Sequence, residues 1–267
     1  MFITVLILLI VSLAVSAVGW IRFIWFFSVG YGYSISALAV TLAVMHWPSL
    51  TWLTGLLLLL LFAYGIRLST YLLVRELKNR NYVRTVDLDV KQKQDYSVAL
   101  IITIWVSCAL LYVGEISPIA FRLTNPSAAA SQGWGITGLV IALLGAAMEA
   151  LADKQKKDAK KLNPKRFVDM GLYKIVRCPN YLGEILLWTG IFVSGIGCYH
   201  LWWQWVIALL GYIGIVYVMF SGTRRIELRQ NINYGSDPEF QAYVKKTPIL
   251  LPFIPLYSVS KYKWLKG

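Results

Sequence analysis

The sequence predicts an all-α, polytopic membrane protein: a helical bundle with about seven transmembrane helices, its N-terminus outside and its C-terminus in the cytoplasm. Of its 267 residues 58% are hydrophobic and only 15% are charged, whereas a soluble domain carries about 25% charged residues. Seven apolar stretches are long enough to cross a hydrocarbon layer of roughly 30 Å. We therefore expect one integral membrane domain over residues 1–267.

The seven stretches are separated by polar or helix-breaking residues, which sets their limits. The first is continuously apolar; a cleaved signal peptide is the alternative, because Ala14–Ala17 resembles a cleavage site, but the absence of a basic N-terminal region favours a retained helix. The second begins beyond Arg22 and ends where Trp47-Pro48 breaks the helix. The predicted spans are 2–19, 24–46, 51–74, 97–118, 134–152, 180–197 and 204–221.

The third, fourth and fifth spans contain polar side chains. In the third, Tyr64, Arg67 and Tyr71 fall on one helical face, and a cation at membrane depth needs a partner or an anion. The fourth is predicted to end at Pro118, with Arg122 in the turn that follows it. The fifth ends with two acids four residues apart, Glu149 and Asp153, and a densely basic loop over 154–178 follows.

The sixth and seventh spans complete the bundle. Pro179 suits the first turn of the sixth helix, where its missing N–H is not needed. Glu184 lies about one turn beyond Asn180, and a carboxylate at membrane depth costs a few kcal/mol, which indicates a use for it. The seventh span is predicted to end before Arg224, where a polar tail begins; the tail closes with a Pro-rich, aromatic stretch over 248–257.

The distribution of charge predicts the orientation. The formal net charge is +13, which on a soluble protein would suggest nucleic acid as a partner. Here 24 of the 26 basic residues lie at Arg22, in the loops 75–96 and 154–178, and in the tail. With seven spans these segments share one side of the membrane, as the positive-inside rule requires of the cytoplasmic side. We therefore expect no nucleic-acid partner.

Cysteine and histidine are too few and too scattered to predict a metal site. The chain has three cysteines and two histidines, and no CxxC pair. A zinc site or a disulfide framework is therefore not expected. Cys178 has no histidine near it in sequence, which argues against a Cys-His nucleophile.

Acidic and basic groups converge on the cytoplasmic half of the predicted bundle. Lys and Arg form charge-assisted bonds to phosphate, so this half suits a phosphorylated, soluble cofactor. Binding of anionic lipid headgroups is the alternative, but headgroups do not require buried carboxylates such as Glu149, Asp153 and Glu184. No GxGxxG motif opens a βαβ unit, so a nucleotide site would have to lie between helices and loops.

One motif resembles a known family. Pro179-Asn180-Tyr181-Leu182-Gly183-Glu184, preceded by Gly171-Leu172-Tyr173 and followed by Trp188 and Gly190, is similar to the signature of the steroid 5-alpha-reductase C-terminal family (DUF1295-like). That family is related to the sterol reductases and the isoprenylcysteine carboxyl methyltransferases. The resemblance covers about residues 60–256. It implies an NADPH-dependent reductase that acts on a conjugated double bond in a lipid or steroid-like substrate dissolved in the membrane.

The resemblance also implies site residues. Asn180 and Glu184 match the residues that hold the nicotinamide end of NADPH. The stretch from Glu149 through Asp153 to Lys160 is similar to the segment that holds the adenosine and phosphates, although the family often has Asn in place of Glu149. Tyr243 matches a C-terminal cofactor contact, and Tyr64 resembles the tyrosine that faces the substrate carbonyl. Charge and position add three candidate phosphate partners, which are Arg177, Arg224 and Arg225.

Two other functions remain open at this stage. An S-adenosylmethionine-dependent membrane methyltransferase would have a similar helical core and motif, and a non-enzymatic membrane scaffold could retain the fold. The steroid-reducing members pair the tyrosine with an acid or amide from the second span, and residues 24–46 contain neither. This argues against a 3-keto-steroid in particular and leaves another enone, an enoyl lipid or a polyprenyl compound open as the substrate. The expected membrane is the endoplasmic reticulum in a eukaryote or the inner membrane in a bacterium. The oligomeric state is not predicted.

Overall fold

The computed structural model describes residues 2–78, 97–124 and 131–265, and these residues form helices connected by short turns. Several of the connections are single turns of 3₁₀-helix, for example Phe23–Phe26 and Gly171–Lys174. The α-helices are α1 (Phe2–Ser16), α2 (Val29–Met45), α3 (Trp52–Lys78), α4 (Val98–Thr124), α5 (Gln132–Leu162), α6 (Pro179–Ser194), α7 (Trp202–Tyr234) and α8 (Pro238–Lys246).

The predicted fold class is confirmed. In the described part of the chain, seven helical segments are long and apolar enough to cross a membrane, and no residue is in a β-strand. The side of the membrane on which each terminus lies stays a prediction, as does the single-domain organisation. The basic and polar stretches 79–96 and 125–130 lie outside the described residues. The seven segments are Phe2–Trp20, Phe23–Met45, Trp52–Leu77, Val98–Thr124, Gln132–Leu162, Pro179–Cys198 and Trp202–Tyr234.

Two of the predicted helix ends were wrong. Helix α5 continues ten residues beyond 152, to Leu162, and α7 continues thirteen residues beyond 221, to Tyr234. The prediction ended each span where apolar residues end, but most of the following residues are Lys, Arg, Glu, Gln, Ala or Leu, which also favour helix. With 31 and 33 residues at about 1.5 Å per residue, both helices exceed the ~30 Å hydrocarbon layer.

The predicted helix end at Pro118 was also wrong, because α4 runs through this proline to Thr124. A proline inside a helix leaves the carbonyl four residues earlier without its N–H donor. That carbonyl belongs to Gly114, and the hydroxyl of Ser117 donates a hydrogen bond to it at 2.7 Å. The adjacent serine therefore satisfies the carbonyl that Pro118 leaves open, and the helix continues.

Arg122 was predicted in a turn, but it lies on α4 and is only 3% exposed. Its Nη1 donates to the carbonyl oxygen of Ser194 at 2.8 Å and to the hydroxyl of Ser131 at 3.1 Å. Ser194 is the last residue of α6, and the carbonyls at the C-terminus of a helix carry partial negative charge. Arg122 is therefore a buried cap of α6.

The chain divides into two compact units, and the divisions fall inside helices. The first unit consists of Met1–Leu139 and Ile191–Gly211. In it, α2 and α3 cross in direct backbone contact, because a Cβ on Gly65 would collide with the carbonyl oxygen of Gly32. Two serines bridge the same pair of helices: Ser36 donates to the carbonyl of Phe62 at 2.9 Å, and Ser69 to that of Val29 at 2.8 Å.

The second unit consists of Val140–Gly190 and Tyr212–Gly267. Its helices α5 and α6 cross at Gly145 and Gly183. A Cβ on Gly183 would lie 2.6 Å from the amide nitrogen of Glu149 and 2.7 Å from the carbonyl oxygen of Gly145. Only glycine permits so close an approach of two backbones. Eight of the nine residues predicted to form the candidate site belong to this unit, and the ninth, Tyr64, belongs to the first.

Candidate functional site

Four carboxylic acids are buried in the second unit, and three of them lie at or near the contact between α5 and α6. The residues Glu149, Asp153 and Glu184 are 3%, 8% and 5% exposed. Because Gly183 touches the backbone of Glu149 and Glu184 follows Gly183 directly, the two glutamates flank the crossing of α5 and α6. Asp153 lies one turn further along α5. Buried acids are rare in membrane proteins, where they mark ligand and ion sites.

The N-terminus of α6 adds polar groups beside Glu184. Pro179 is the first residue of this helix, as predicted, and Asn180 and Tyr181 are half-buried in its first turn. Tyr181 packs against α7 at Gly222, where a Cβ would lie 3.0 Å from the tyrosine hydroxyl. The side chain of Arg225, an exposed residue of α7, lies near the same hydroxyl.

These groups have the donor and acceptor types that a phosphorylated nucleotide requires. Carboxylates accept hydrogen bonds from ribose hydroxyls and amides, and an exposed guanidinium forms charge-assisted bonds to phosphate. The N–H groups at the start of a helix favour an anion as well. The sequence indicated each of Asn180, Glu184, Asp153 and Arg225 separately. The packing adds the contact between Arg225 and Tyr181, which links α7 to the start of α6.

Arg177 has a structural partner that the sequence did not reveal. Its side chain is 0% exposed and its Nη2 lies 3.3 Å from Oε1 of Glu227, whose side chain is 2% exposed. The same Nη2 donates to the carbonyl of Tyr257. Its Nε and Nη1 are buried and have no hydrogen-bond partner among the described residues. Arg177 thus connects α7 to the C-terminal segment. Its predicted contact with a cofactor stays a prediction, and would involve the N–H groups on Nε and Nη1.

Lys160 also forms bonds within the protein. Its ammonium group donates to the carbonyls of Pro164 and Arg166 at 3.2 and 2.5 Å and to the hydroxyl of Tyr234 at 2.8 Å. An ammonium has three N–H donors, and these three bonds use them all. Lys160 therefore fixes the chain that follows α5 against the end of α7. The predicted contact with a phosphate would require one of these bonds to open.

Arg224 and Tyr243 hold the C-terminal part of the chain. The Nε of Arg224 donates to the carbonyl of Ser260 at 3.1 Å. The hydroxyl of Tyr243 donates to the carbonyl of Tyr173 at 2.7 Å, and its ring stacks on Phe167 at 5.4 Å between centroids. Burial raises the pKa of the Tyr243 hydroxyl. Their predicted contacts with a cofactor remain predictions, and the observed contacts are structural.

Cys178 lies just before α6 and is 3% exposed. Burial raises the pKa of its thiol to about 11, while Lys156 and Arg177 nearby act in the opposite direction. At neutral pH the group is therefore a thiol, which is a poor nucleophile.

Three contacts in the second unit were not predicted from the sequence. Lys156 lies near Cys178, Glu227 pairs with Arg177 and Tyr181 contacts Arg225. A signal existed for Lys156, which follows Asp153 by three residues and Glu149 by seven and therefore shares their helical face. Glu227 had none, because it was assigned to a polar tail rather than to α7.

Tyr64, the predicted catalytic residue, lies on α3 in the first unit and is 3% exposed. Arg67 and Tyr71, which share its helical face, are half-buried. The neighbouring Gly65 is the residue at which α3 contacts α2, so Tyr64 lies beside the crossing of these two helices. The first unit also contains a buried acid on α4, Glu115, which is 3% exposed. The role of Tyr64 toward a substrate stays a prediction.

The described residues contain no group of three or more His, Cys, Asp or Glu side chains that could hold a metal ion.

Residues 8–247 match a sequence family described as "Protein of unknown function (DUF1295)". No curated protein and no solved structure matches the chain. The match spans most of the sequence, including all the predicted site residues, and the chain is therefore a member of the DUF1295 family.

Proposed function

We propose that the protein is a membrane-embedded, NADPH-dependent oxidoreductase that reduces a conjugated carbon–carbon double bond in a lipid or steroid-like substrate. The observation that carries the proposal is the set of buried acids at the α5–α6 crossing, Glu149, Asp153 and Glu184, beside the polar start of α6. A scaffold has no need of three buried carboxylates at a single crossing, and each is costly at membrane depth.

The residues present fit NADPH on two observations. Arg177 is fully buried and has two N–H donors, on Nε and Nη1, without hydrogen-bond partners in the described part of the chain. Arg225 is exposed beside Tyr181 at the start of α6. Both residues are cations suited to binding phosphate, and S-adenosylmethionine has no phosphate group. Asn180 and Glu184 would then hold the carboxamide of the nicotinamide, and Asp153 a ribose hydroxyl.

NADPH would supply a hydride, and the protein would supply binding, orientation and electrostatics. Glu184 and Asn180 would orient the nicotinamide ring through hydrogen bonds to its carboxamide. Tyr64 would donate a hydrogen bond to the carbonyl of the substrate, stabilise the negative charge that develops on the oxygen, and deliver a proton. Replacing Tyr64 with Phe is accordingly expected to lower turnover far more than cofactor affinity; unchanged turnover would remove Tyr64 from the mechanism.

The first experiment is a comparison of cofactor binding by the purified protein in detergent. Ligands stabilise the folded state by mass action, so NADPH should raise the melting temperature, and NADH and S-adenosylmethionine should raise it less. Glu184→Gln preserves shape while removing the charge and is expected to abolish the shift. Glu115→Gln is the matched control, since it removes a buried acid of the first unit and should leave the NADPH shift intact.

The other outcomes point to the other functions. A shift with S-adenosylmethionine alone would identify a methyltransferase. No shift with any of the three compounds, in protein that unfolds cooperatively, would support a scaffold. A shift with NADPH that survives Glu184→Gln would retain the reductase and reject the assignment of Glu184.

A further inference from the structure

The C-terminal segment combines an apolar stretch with basic ends. Residues 247–260 contain no charged side chain, and the stretch is flanked by Lys245 and Lys246 on one side and by Lys261 and Lys263 on the other. Apolar and aromatic residues between clusters of Lys are typical of segments that lie in a membrane interface. None of the proposed roles in catalysis uses this stretch.

The first half of the segment is a loop anchored beside a membrane span. The amides of Arg177 and Cys178 donate to the carbonyls of Pro248 and Ile249 at 2.9 and 3.0 Å, and the amide of Ile249 donates to the carbonyl of Leu256 at 2.8 Å. These bonds close the loop at its base. Because Cys178 immediately precedes the span Pro179–Cys198, the base lies at the boundary of the membrane.

The tip of this loop presents an aromatic side chain at a conformational cost. Phe253 is 99% exposed, and its φ of 65° is the only positive value of a non-glycine residue in the described part of the chain. Bulky residues rarely adopt this conformation, because the side chain crowds the backbone. Ile254 beside it is 50% exposed. Backbone strain that holds an apolar side chain in an exposed position indicates that this side chain has a binding role.

The second half of the segment runs back along α7 toward the apolar part of the span. The amide of Val259 donates to Glu227 at 2.9 Å, and five residues later the carbonyl of Trp264 accepts from the hydroxyl of Tyr217 at 3.0 Å. Tyr217 and Glu227 are ten residues apart, about 15 Å along a helix. The rings of Tyr217 and Trp264 are stacked, and Trp264 is 64% exposed.

Trp264 is thereby held at membrane depth. Tyr217 precedes the first cation of α7, Arg224, by seven residues, or about 10 Å, and lies within the apolar stretch of the span. The same helix carries exposed apolar residues, such as Leu210 and Ile213, as expected of a surface that faces lipid. Trp and Tyr are enriched where a bilayer meets water.

We propose that residues 248–265 form a lipid-docking segment, in which Phe253 and Trp264 insert into the bilayer that surrounds the protein. The lysines on either side of the uncharged stretch 247–260 bind the lipid headgroups. The occupant is lipid rather than a partner protein, because the segment is anchored at the ends of two spans and returns along one of them. The inference does not depend on the reductase activity.

Spin labels at single positions test the proposal directly. Phe253→Cys and Trp264→Cys would each be labelled with a nitroxide in the full-length protein, reconstituted into bilayers that contain anionic lipid. The three native cysteines are buried, so labelling is directed to the introduced thiol, and labelling of the unmodified protein measures the background. Lys157→Cys is the aqueous control, because Lys157 is exposed on the polar extension of α5.

The measurement is the collision rate of each label with oxygen, which concentrates in lipid, and with a nickel chelate, which stays in water. We expect oxygen to dominate at positions 253 and 264, and the nickel chelate at position 157. Collision with the nickel chelate at 253 and 264 equal to that at 157 would overturn the proposal. Protection of these positions from both reagents would also overturn it, since that result indicates a protein surface as the occupant.

Discussion

The guanidinium of Arg177 and the carboxylate of Glu227 form an ion pair at 3.3 Å, with side chains 0% and 2% exposed. Glu227 accepts a second bond from the amide of Val259 at 2.9 Å, and Arg177 donates to the carbonyl of Tyr257. The pair therefore joins three parts of the chain: the residues just before α6, the polar extension of α7 and the C-terminal segment.

Breaking this pair should destabilise the second unit. Glu227→Gln leaves the charge of Arg177 buried without its counter-ion, and removal of one partner of a buried pair costs about 3–5 kcal/mol. We expect a clear fall in the melting temperature of the detergent-purified protein. The matched control is Glu239→Gln, which removes an exposed partner of Arg166 at 2.6 Å and should have little effect. An equal fall in both variants would contradict the role given to the buried pair.

A methyl group at the α5–α6 crossing should be poorly tolerated. In Gly183→Ala the new Cβ would lie 2.6 Å from the amide nitrogen of Glu149 and 2.7 Å from the carbonyl of Gly145, so the helices must separate. Overpacking of this kind costs about 1–3 kcal/mol. Gly55→Ala is the control, because no described atom lies within 4 Å of a Cβ there and alanine favours the helix. Thermal unfolding should show opposite signs for the two variants.

Separation of α5 and α6 should also weaken cofactor binding, since Glu149 and Glu184 flank the contact. A Gly183→Ala protein that is as stable as the wild type and binds NADPH equally well would show that the close crossing is not required.

The buried thiol of Cys178 should make the stability of the folded protein depend on pH in the alkaline range. Burial raises its pKa from 9.0 to about 11, so the folded chain retains a proton that the unfolded chain releases between these values. This contribution to stability is complete below pH 9 and is lost as the pH rises through about 11. In Cys178→Ala the melting temperature should fall less steeply between pH 9 and 11; an identical slope in the two proteins would contradict the assignment.

Replacement of Arg225 should discriminate between phosphorylated and unphosphorylated cofactors. Arg225 is exposed and contacts Tyr181, so Arg225→Ala should fold normally and lose one charge-assisted bond to phosphate. That loss corresponds to a decrease of about tenfold or more in affinity for NADPH. The control Arg229→Ala removes an exposed cation one turn away and should bind NADPH normally. Equal losses in the two variants would indicate a general effect of charge.

The spans and the acids could be predicted from the sequence because hydrophobicity and charge act locally. A long apolar stretch must be a helix in lipid, since no water can satisfy its backbone, and an acid within such a stretch is conspicuous. Glu184 was found in this way, and its burial agrees. The helix ends were predicted less well: hydropathy marks the edge of the membrane, whereas α5 and α7 continue beyond it as polar helix.

Partners far apart in sequence could not be predicted. Arg122 had the appearance of a turn residue, and only the packing of α4 near Ser131 and Ser194 shows that it caps α6. Lys160 and Tyr243 were assigned to a cofactor from a resemblance, and the structure gives both of them hydrogen bonds within the protein.

The sequence by itself determined the class of the protein, because the length of an apolar stretch and the placement of charge are properties of the chain alone. It also determined membership of the DUF1295 family and the identity of the intramembrane acids. Only the tertiary structure decided which cations face inward and which glycines bring helices into contact. The buried ion pair Arg177–Glu227 joins two residues that are fifty positions apart in the sequence. No local sequence pattern predicts such a contact, because it depends on how the helices pack.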